Sequence, residues 1–132
     1  MKTFIDAGVL ITGWRSQSAS RLKALTILSD PQRQFVSSPY VKLEVLPKAQ
    51  YFKNTTEEEF YREYFDGVSE WVEDCDLITQ EALVVARQFG LAALDAMHIA
   101  AALLAKADEF VTAERLTSPF SRVTGIKLRF IA

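Results

Sequence analysis

The stretch LAALDAMHIAAALLAKADEFVTAER, residues 91–115, decides how the chain is read. Leu91 to Ala107 is rich in alanine and leucine, the strongest helix formers, and the run breaks near Asp108. Glu109 to Thr112 then has the brevity and the apolar, β-branched character of a strand. Two acids stand out against this background. Asp95 is the only charged residue between Gly90 and Ala105, and Glu114 follows the strand as it ends.

Strand and helix alternate in the same way outward from this unit. On its N-terminal side, Thr79 predicts the cap of a helix through Phe89, closed by Gly90. Trp71-Val72 or Cys75 to Ile78 supplies a short strand before it. Thr55 or Thr56 followed by Glu57-Glu58-Glu59 reads as a helix start, its acids complementing the macrodipole, and that helix runs to Gly67. Pro39 suits a first helical turn, and the helix it opens runs to about Phe52, with Pro47 expected to kink or interrupt it. Gln34 to Ser38 reads as a strand, Ser18 or Ser20 as the cap of a helix through Leu28 that Asp30-Pro31 stops, and residues 2 to 5 as a buried strand leading into a helical turn at Asp6. Lys127 to Ile131 adds a last strand. The alternation predicts an α/β fold of three layers, a central, mainly parallel sheet flanked by helices, in a single domain over residues 1–132.

Composition excludes several function classes. The 132 residues are 49% hydrophobic and 24% charged, as expected of a globular domain with an ordinary core. The longest apolar run, Ile99 to Ala105, falls far short of the roughly 20 residues a spanning helix needs. With neither a membrane span nor a secretory leader at the N-terminus, we read a cytoplasmic protein. One cysteine, Cys75, and one histidine, His98, have no neighbours spaced for a disulfide or a zinc site. A net charge of −2 provides no broad electropositive field, so any nucleic acid would be held by local patches and by metal ions.

Four acids lie where a solvated acid is not expected. Asp6 stands between Ile5 and Val9 at a strand end, Glu44 among Val41, Leu43, Val45 and Leu46 on a helix, and Asp95 and Glu114 as described above. Buried carboxylates are costly unless a metal or a cation compensates them. Sites in open α/β sheets form beyond the carboxyl ends of the strands, where Asp6 and Glu114 both fall. Oxygen donors without histidine or thiolate suit Mg²⁺ or Mn²⁺ and suit zinc poorly. Two such ions, about 3.5–4 Å apart, serve phosphodiester hydrolysis. Nucleic-acid hydrolysis is the chemistry this donor set predicts.

TFIDAGVLI (3–11), SSPYVKLEVL (37–46), LDAMHIAAAL (94–103) and FVTAER (110–115) together resemble the ordered acidic motifs of PIN domains, over nearly the whole chain. The resemblance implies the PIN fold, a metal-dependent ribonuclease and, for a solitary domain of this size, a VapC-like toxin paired with an antitoxin. Asp6, Glu44 and Asp95 match the three core acids of that family, and Glu114 stands where it usually has aspartate. Ala7 and Gly8 replace the polar residues the family often has after its first aspartate. These departures motivate an alternative, a degenerate, non-catalytic PIN-like module that binds a protein. An aspartyl-phosphate receiver is disfavoured because Asp6 has no acidic neighbour.

Each residue also has an ordinary structural reading. Asp6 and Asp95 suit helix caps, Glu44 an i,i+4 pair with Lys48, and Glu114 a solvated turn. His98 shares a helix face with Asp95, which suggests a general base, but a packed or hydrogen-bonded structural role is the expected one. The Thr112 hydroxyl is placed to orient a carboxylate or a water. Lys42, Lys48, Lys53, Arg115 and Arg122 are candidates for phosphate contacts with RNA. Tyr51, Phe52, Phe60, Tyr61, Tyr64 and Phe65 form either core or an aromatic surface for a partner helix or a second subunit, the basis for expecting a homodimer.

Overall fold

The first strand, β1 (Lys2–Ile5), is buried from Thr3 onward and lies in the middle of a five-stranded sheet of order β3-β2-β1-β4-β5. The computed structural model describes residues 1–15 and 17–132. Between the strands run α1 (Ala7–Arg15), α2 (Ala19–Leu28), β2 (Gln34–Ser37), α3 (Pro39–Tyr51), α4 (Thr55–Asp66), β3 (Val68–Trp71), α5 (Cys75–Phe89), α6 (Ala93–Leu104), β4 (Glu109–Thr112), a 3₁₀ turn (Pro119–Arg122) and β5 (Lys127–Phe130). Every strand pair in the sheet is parallel. All of β4 is buried, as expected where helices cover both faces of a sheet centre. From β1 the chain builds outward through β2 to β3, then returns beside β1 as β4 and finishes at β5. The order therefore reverses between β1 and β4, which places a crevice beyond their carboxyl ends.

Local chemistry explains the helix limits. Ser18 accepts a hydrogen bond from the Ser20 N–H and caps α2. Ser38 caps α3 ahead of Pro39, and α3 continues through Pro47, which neither ends nor splits it. The cap of α4 is Asn54, whose Oδ1 accepts from the Glu57 N–H at 3.2 Å, one residue before the threonines that the sequence offered. The region before Gly90 departs most from expectation. Asp74 Oδ1 accepts from the Leu77 N–H at 3.1 Å, so α5 begins at Cys75. Residues 75–78 are thus its first turn rather than a strand, and Thr79 bonds back to the Cys75 carbonyl instead of capping. The strand is Val68–Trp71 at the sheet edge. Gly90, at φ 68°, closes α5 in the left-handed conformation glycine favours.

The hydrophobic cluster runs along β1, β2 and β4 and takes in Val9, Leu10, Val41, Val45, Ile78, Val85 and Ile99 from the helices. Among the described residues no single helix is long and apolar enough to cross a membrane; α5 and α6 together would be, but they are bent 114° apart.

Candidate active site

Asp6 leaves β1 directly into α1, and its backbone N–H extends the sheet by bonding the Val111 carbonyl at 3.1 Å. The side chain is only 6% exposed. Oδ1 accepts from the Val9 N–H at 3.1 Å, so Asp6 does cap α1 as its ordinary reading requires. The Val9 N–H and the Thr112 hydroxyl are little compensation for a buried carboxylate. Burial pushes the Asp6 carboxyl up to about 6, against the opposing effects of the Thr112 hydroxyl, the His98 ring and the Val9 N–H, while the charge of Asp95 pushes it further up. Gly8 lets the backbone pass close by, since a Cβ there would lie 3.4 Å from Asp6 Oδ1 and 3.3 Å from Ala113 Cβ.

Asp95 occupies the first turn of α6, whose cap residue Ala92 makes no side-chain bond. Burial raises its carboxyl above the ordinary aspartate value, the His98 ring opposes this, and the charges of Glu114 and Glu44 add to it. These repulsions mark how the four acids are grouped. The charge of Asp95 acts on Asp6, and those of Glu114 and Glu44 act on Asp95, so Asp95 is the acid within electrostatic reach of the other three predicted carboxylates. Glu114 is exposed just past β4, its backbone N–H bonded to Thr112 Oγ1 at 3.0 Å. Thr112 thus touches the segments carrying two of the acids, as its orienting role requires.

Glu44 does not pair with Lys48. It reaches from α3 to α6, where His98 Nε2 lies 2.5 Å from Glu44 Oε1. The packed or hydrogen-bonded role expected of His98 is what it has, but the partner has no local signal because it is 54 residues away. As they stand, no three Asp, Glu, His or Cys side chains among the described residues are arranged to hold a metal ion. The donor set nevertheless fits a hard divalent cation in its chemistry: four carboxylates, three of them in repulsive reach of Asp95 or acted on by it, one of the four buried, and no lysine or arginine among the causes that shift Asp6 or Asp95.

The candidate phosphate contacts separate by structure. Lys42 is stacked over Trp71, 4.3 Å from the ring centre, and Arg122 donates to the Phe89 carbonyl at 3.1 Å. Lys48, Lys53 and Arg115 are exposed. The aromatic group divides as well. Tyr61, Tyr64 and Phe65 are core, Phe60 packs beside Trp14, and Tyr51 and Phe52 are 79% and 68% exposed.

Two buried acids went unnoticed in the sequence, Glu57 and Glu109. Both are held by arginine. Arg15 bridges both oxygens of Glu57 at 3.1 Å, and Arg33 and Arg129 reach Glu109 at 2.8 and 3.1 Å.

Comparison with known proteins accords with this geometry. The fold is similar to that of a toxin-antitoxin complex from Klebsiella pneumoniae, with a TM-score of 0.72 at 21% identity over 98% of each chain. It is also similar to VapBC2 from Rickettsia felis bound to a DNA fragment from their promoter, with a TM-score of 0.73 at 15% identity over 98% of each chain. VapBC-1 from nontypeable Haemophilus influenzae matches with a TM-score of 0.67 at 16% identity over 99% of this chain and 98% of that one. No curated protein matches the chain in sequence. The family model of the PIN domain matches residues 3–124, and the chain belongs to the PIN-domain family, whose members are generally nucleases.

Proposed function

We propose that the chain is a metal-dependent endoribonuclease, acting as one domain over residues 1–132, and the toxin of a toxin-antitoxin pair. The observation that carries the proposal is the group of carboxylates around Asp95, with His98 as the one basic side chain beside them and no lysine or arginine among the causes that shift Asp6 or Asp95, at the point where strand order reverses. Such an arrangement is costly unless a cation offsets it, and catalytic sites are where perturbed carboxylates concentrate. Asp6 and Asp95 would hold Mg²⁺ or Mn²⁺, with Glu44 and Glu114 completing the donor set. Bound there, the cation supplies the positive charge that draws a phosphodiester and an attacking water together. Thr112 keeps the Asp6 carboxylate aimed, and the apolar surroundings of Asp6 keep bulk water from screening it.

RNA is the proposed substrate, and exposed Lys48, Lys53 and Arg115 supply phosphate contacts around an acidic centre. The likeness in fold to toxin-antitoxin complexes supports an antitoxin as cognate partner, and the cytoplasm is the proposed place of action. The exposed Tyr51 and Phe52 favour a homodimer, which sedimentation of the purified chain checks.

The test is cleavage of a labelled structured RNA by wild type and Asp95→Asn with Mn²⁺, with Mg²⁺ and with chelator. Cutting that needs metal and is lost in the variant is expected. No cutting by folded wild type under any condition overturns the proposal. A second reading, the non-catalytic PIN-like module, is favoured by the acids not being drawn together around one point and by Ala7 and Gly8. It requires that Mn²⁺ produce no heat of binding.

A further inference from the structure

His98 lies on α6 three residues after Asp95, so the two side chains share one face of the helix. The ring is 1% exposed and packs against Phe4 with centroids 6.0 Å apart. An apolar side chain would fill that space at no polar cost. Instead the imidazole brings two nitrogens into the core. Nε2 lies 2.5 Å from Glu44 Oε1, and Nδ1 is buried with no hydrogen-bond partner among the described residues. A proton on Nδ1 would be a buried donor without an acceptor, which costs more than a bare lone pair there. The tautomer assigned from this network therefore has its proton on Nε2, donated to Glu44.

The partner is the acid most in need of a tether. The Glu44 side chain is 29% exposed, on a helix surface where a three-torsion side chain is otherwise free to swing into water. The bond uses one carboxylate oxygen, so the other can still coordinate. It is also the hydrogen bond that joins the acid of α3 to the helix carrying Asp95.

We propose that His98 is a positioning residue: its Nε2–H fixes the Glu44 carboxylate against α6, so that α3 and α6 present their acids to a divalent cation as one unit. The inference rests on the reading of these acids as cation ligands. A donor that orients a coordinating carboxylate typically contributes about 10–100-fold to metal affinity.

The experiment is calorimetric titration of Mn²⁺ into the metal-free full chain for wild type, His98→Met and His98→Gln, with thermal unfolding of each. Methionine keeps the bulk and removes the donor. Glutamine carries an N–H the same number of bonds from Cβ as His98 Nε2. His98→Met should fold and bind Mn²⁺ about 10-fold more weakly or worse, and His98→Gln should recover affinity to within about 3-fold of wild type. A folded His98→Met that binds like wild type, or a folded His98→Gln as weak as His98→Met, overturns the positioning role alone. A wild type that takes up no Mn²⁺ overturns the ligand reading and the positioning role with it. Should His98→Met fail to fold, the ring nitrogen spectrum of the metal-free chain decides. A ring protonated at Nε2, whose Nε2 resonance moves in Glu44→Ala, supports the tether, and a ring protonated at Nδ1 overturns it.

Discussion

The two ends of this sheet treat a buried carboxylate in opposite ways. At the amino end, Glu109 opens β4 with no exposed surface, yet Arg33 and Arg129 bond the same oxygen at 2.8 and 3.1 Å and Lys127 stands 3.5 Å from the other. Burial would raise its carboxyl, but the arginine bonds and charges outweigh burial and hold it below the ordinary glutamate value. At the carboxyl end, Asp6 is nearly as buried, has only the Val9 N–H, the Thr112 hydroxyl and the His98 ring against burial and the charge of Asp95, and is pushed up to about 6. The strands are neighbours in one ladder, with Thr3 opposite Glu109. Burial alone therefore does not distinguish a site from a structural acid. The difference lies in whether the fold supplies the counter-charge, and at the carboxyl end it leaves that charge to come from outside.

The sharpest way to break this comparison is to neutralise each acid in turn. Glu109→Gln leaves Arg33, whose side chain is 9% exposed, and Arg129 without their charge partner, and it should destabilise the fold by about 3–5 kcal/mol in urea denaturation. Wild-type stability in that variant would mean that the arginine cluster is not structural. Asp6→Asn should do the reverse in the metal-free protein, raising stability at neutral pH by about 1–3 kcal/mol, because it removes a buried charge whose desolvation outweighs everything the fold sets against it.

Their pH dependences carry opposite signs. The Asp6 carboxyl is higher in the folded chain than its ordinary 3.8, so folding favours its protonated form. That contribution is fully present below about pH 4 and is lost as pH rises through about 6, a swing of up to about 3 kcal/mol. Glu109 is lower in the folded chain than its ordinary 4.5, so its contribution is present above that value and is lost as the solution is acidified. Metal-free wild type should therefore lose stability between pH 4 and 6 relative to Asp6→Asn. Parallel curves for the two proteins across that range would count against an uncompensated Asp6.

An external cation should close the gap between the ends. Mn²⁺ at ten times its dissociation constant should stabilise wild type by about 1.4 kcal/mol, a rise of a few degrees in Tm, and should leave Asp95→Asn unmoved because the hub of the acidic group is gone. An equal rise in both proteins would place the ion elsewhere.

Which end could be read in the sequence follows from the same physics. Asp6 and Asp95 are conspicuous because each interrupts an apolar run, and the strands that position them are short, buried and apolar enough to be seen locally. Glu109 and Glu57 are not, since the arginines that make their burial tolerable lie 76, 20 and 42 residues away. The same distance hid the contact between Glu44 and His98. At β3 and α5 the failure was local. Trp71-Val72 and Cys75 to Ile78 are equally strand-like by composition, and the choice is made by the Asp74 carboxylate, which caps the helix at Cys75.

The smallest effect should come from Glu114, the acid least like the others. It is exposed, its charge reaches Asp95, and its backbone is pinned by Thr112 while its side chain is not. Solvent screens such a group, so its removal withdraws one weak donor and also relieves one repulsion on Asp95. These act in opposite directions on cation binding. Glu114→Ala should accordingly weaken Mn²⁺ binding only about 3-fold in calorimetry, against loss of detectable binding in Asp95→Asn, and should leave metal-free stability within about 0.5 kcal/mol of wild type. A loss as complete as that of Asp95→Asn would make Glu114 a full ligand despite its exposure, and the counter-charge of the carboxyl end would then extend out to the turn after β4.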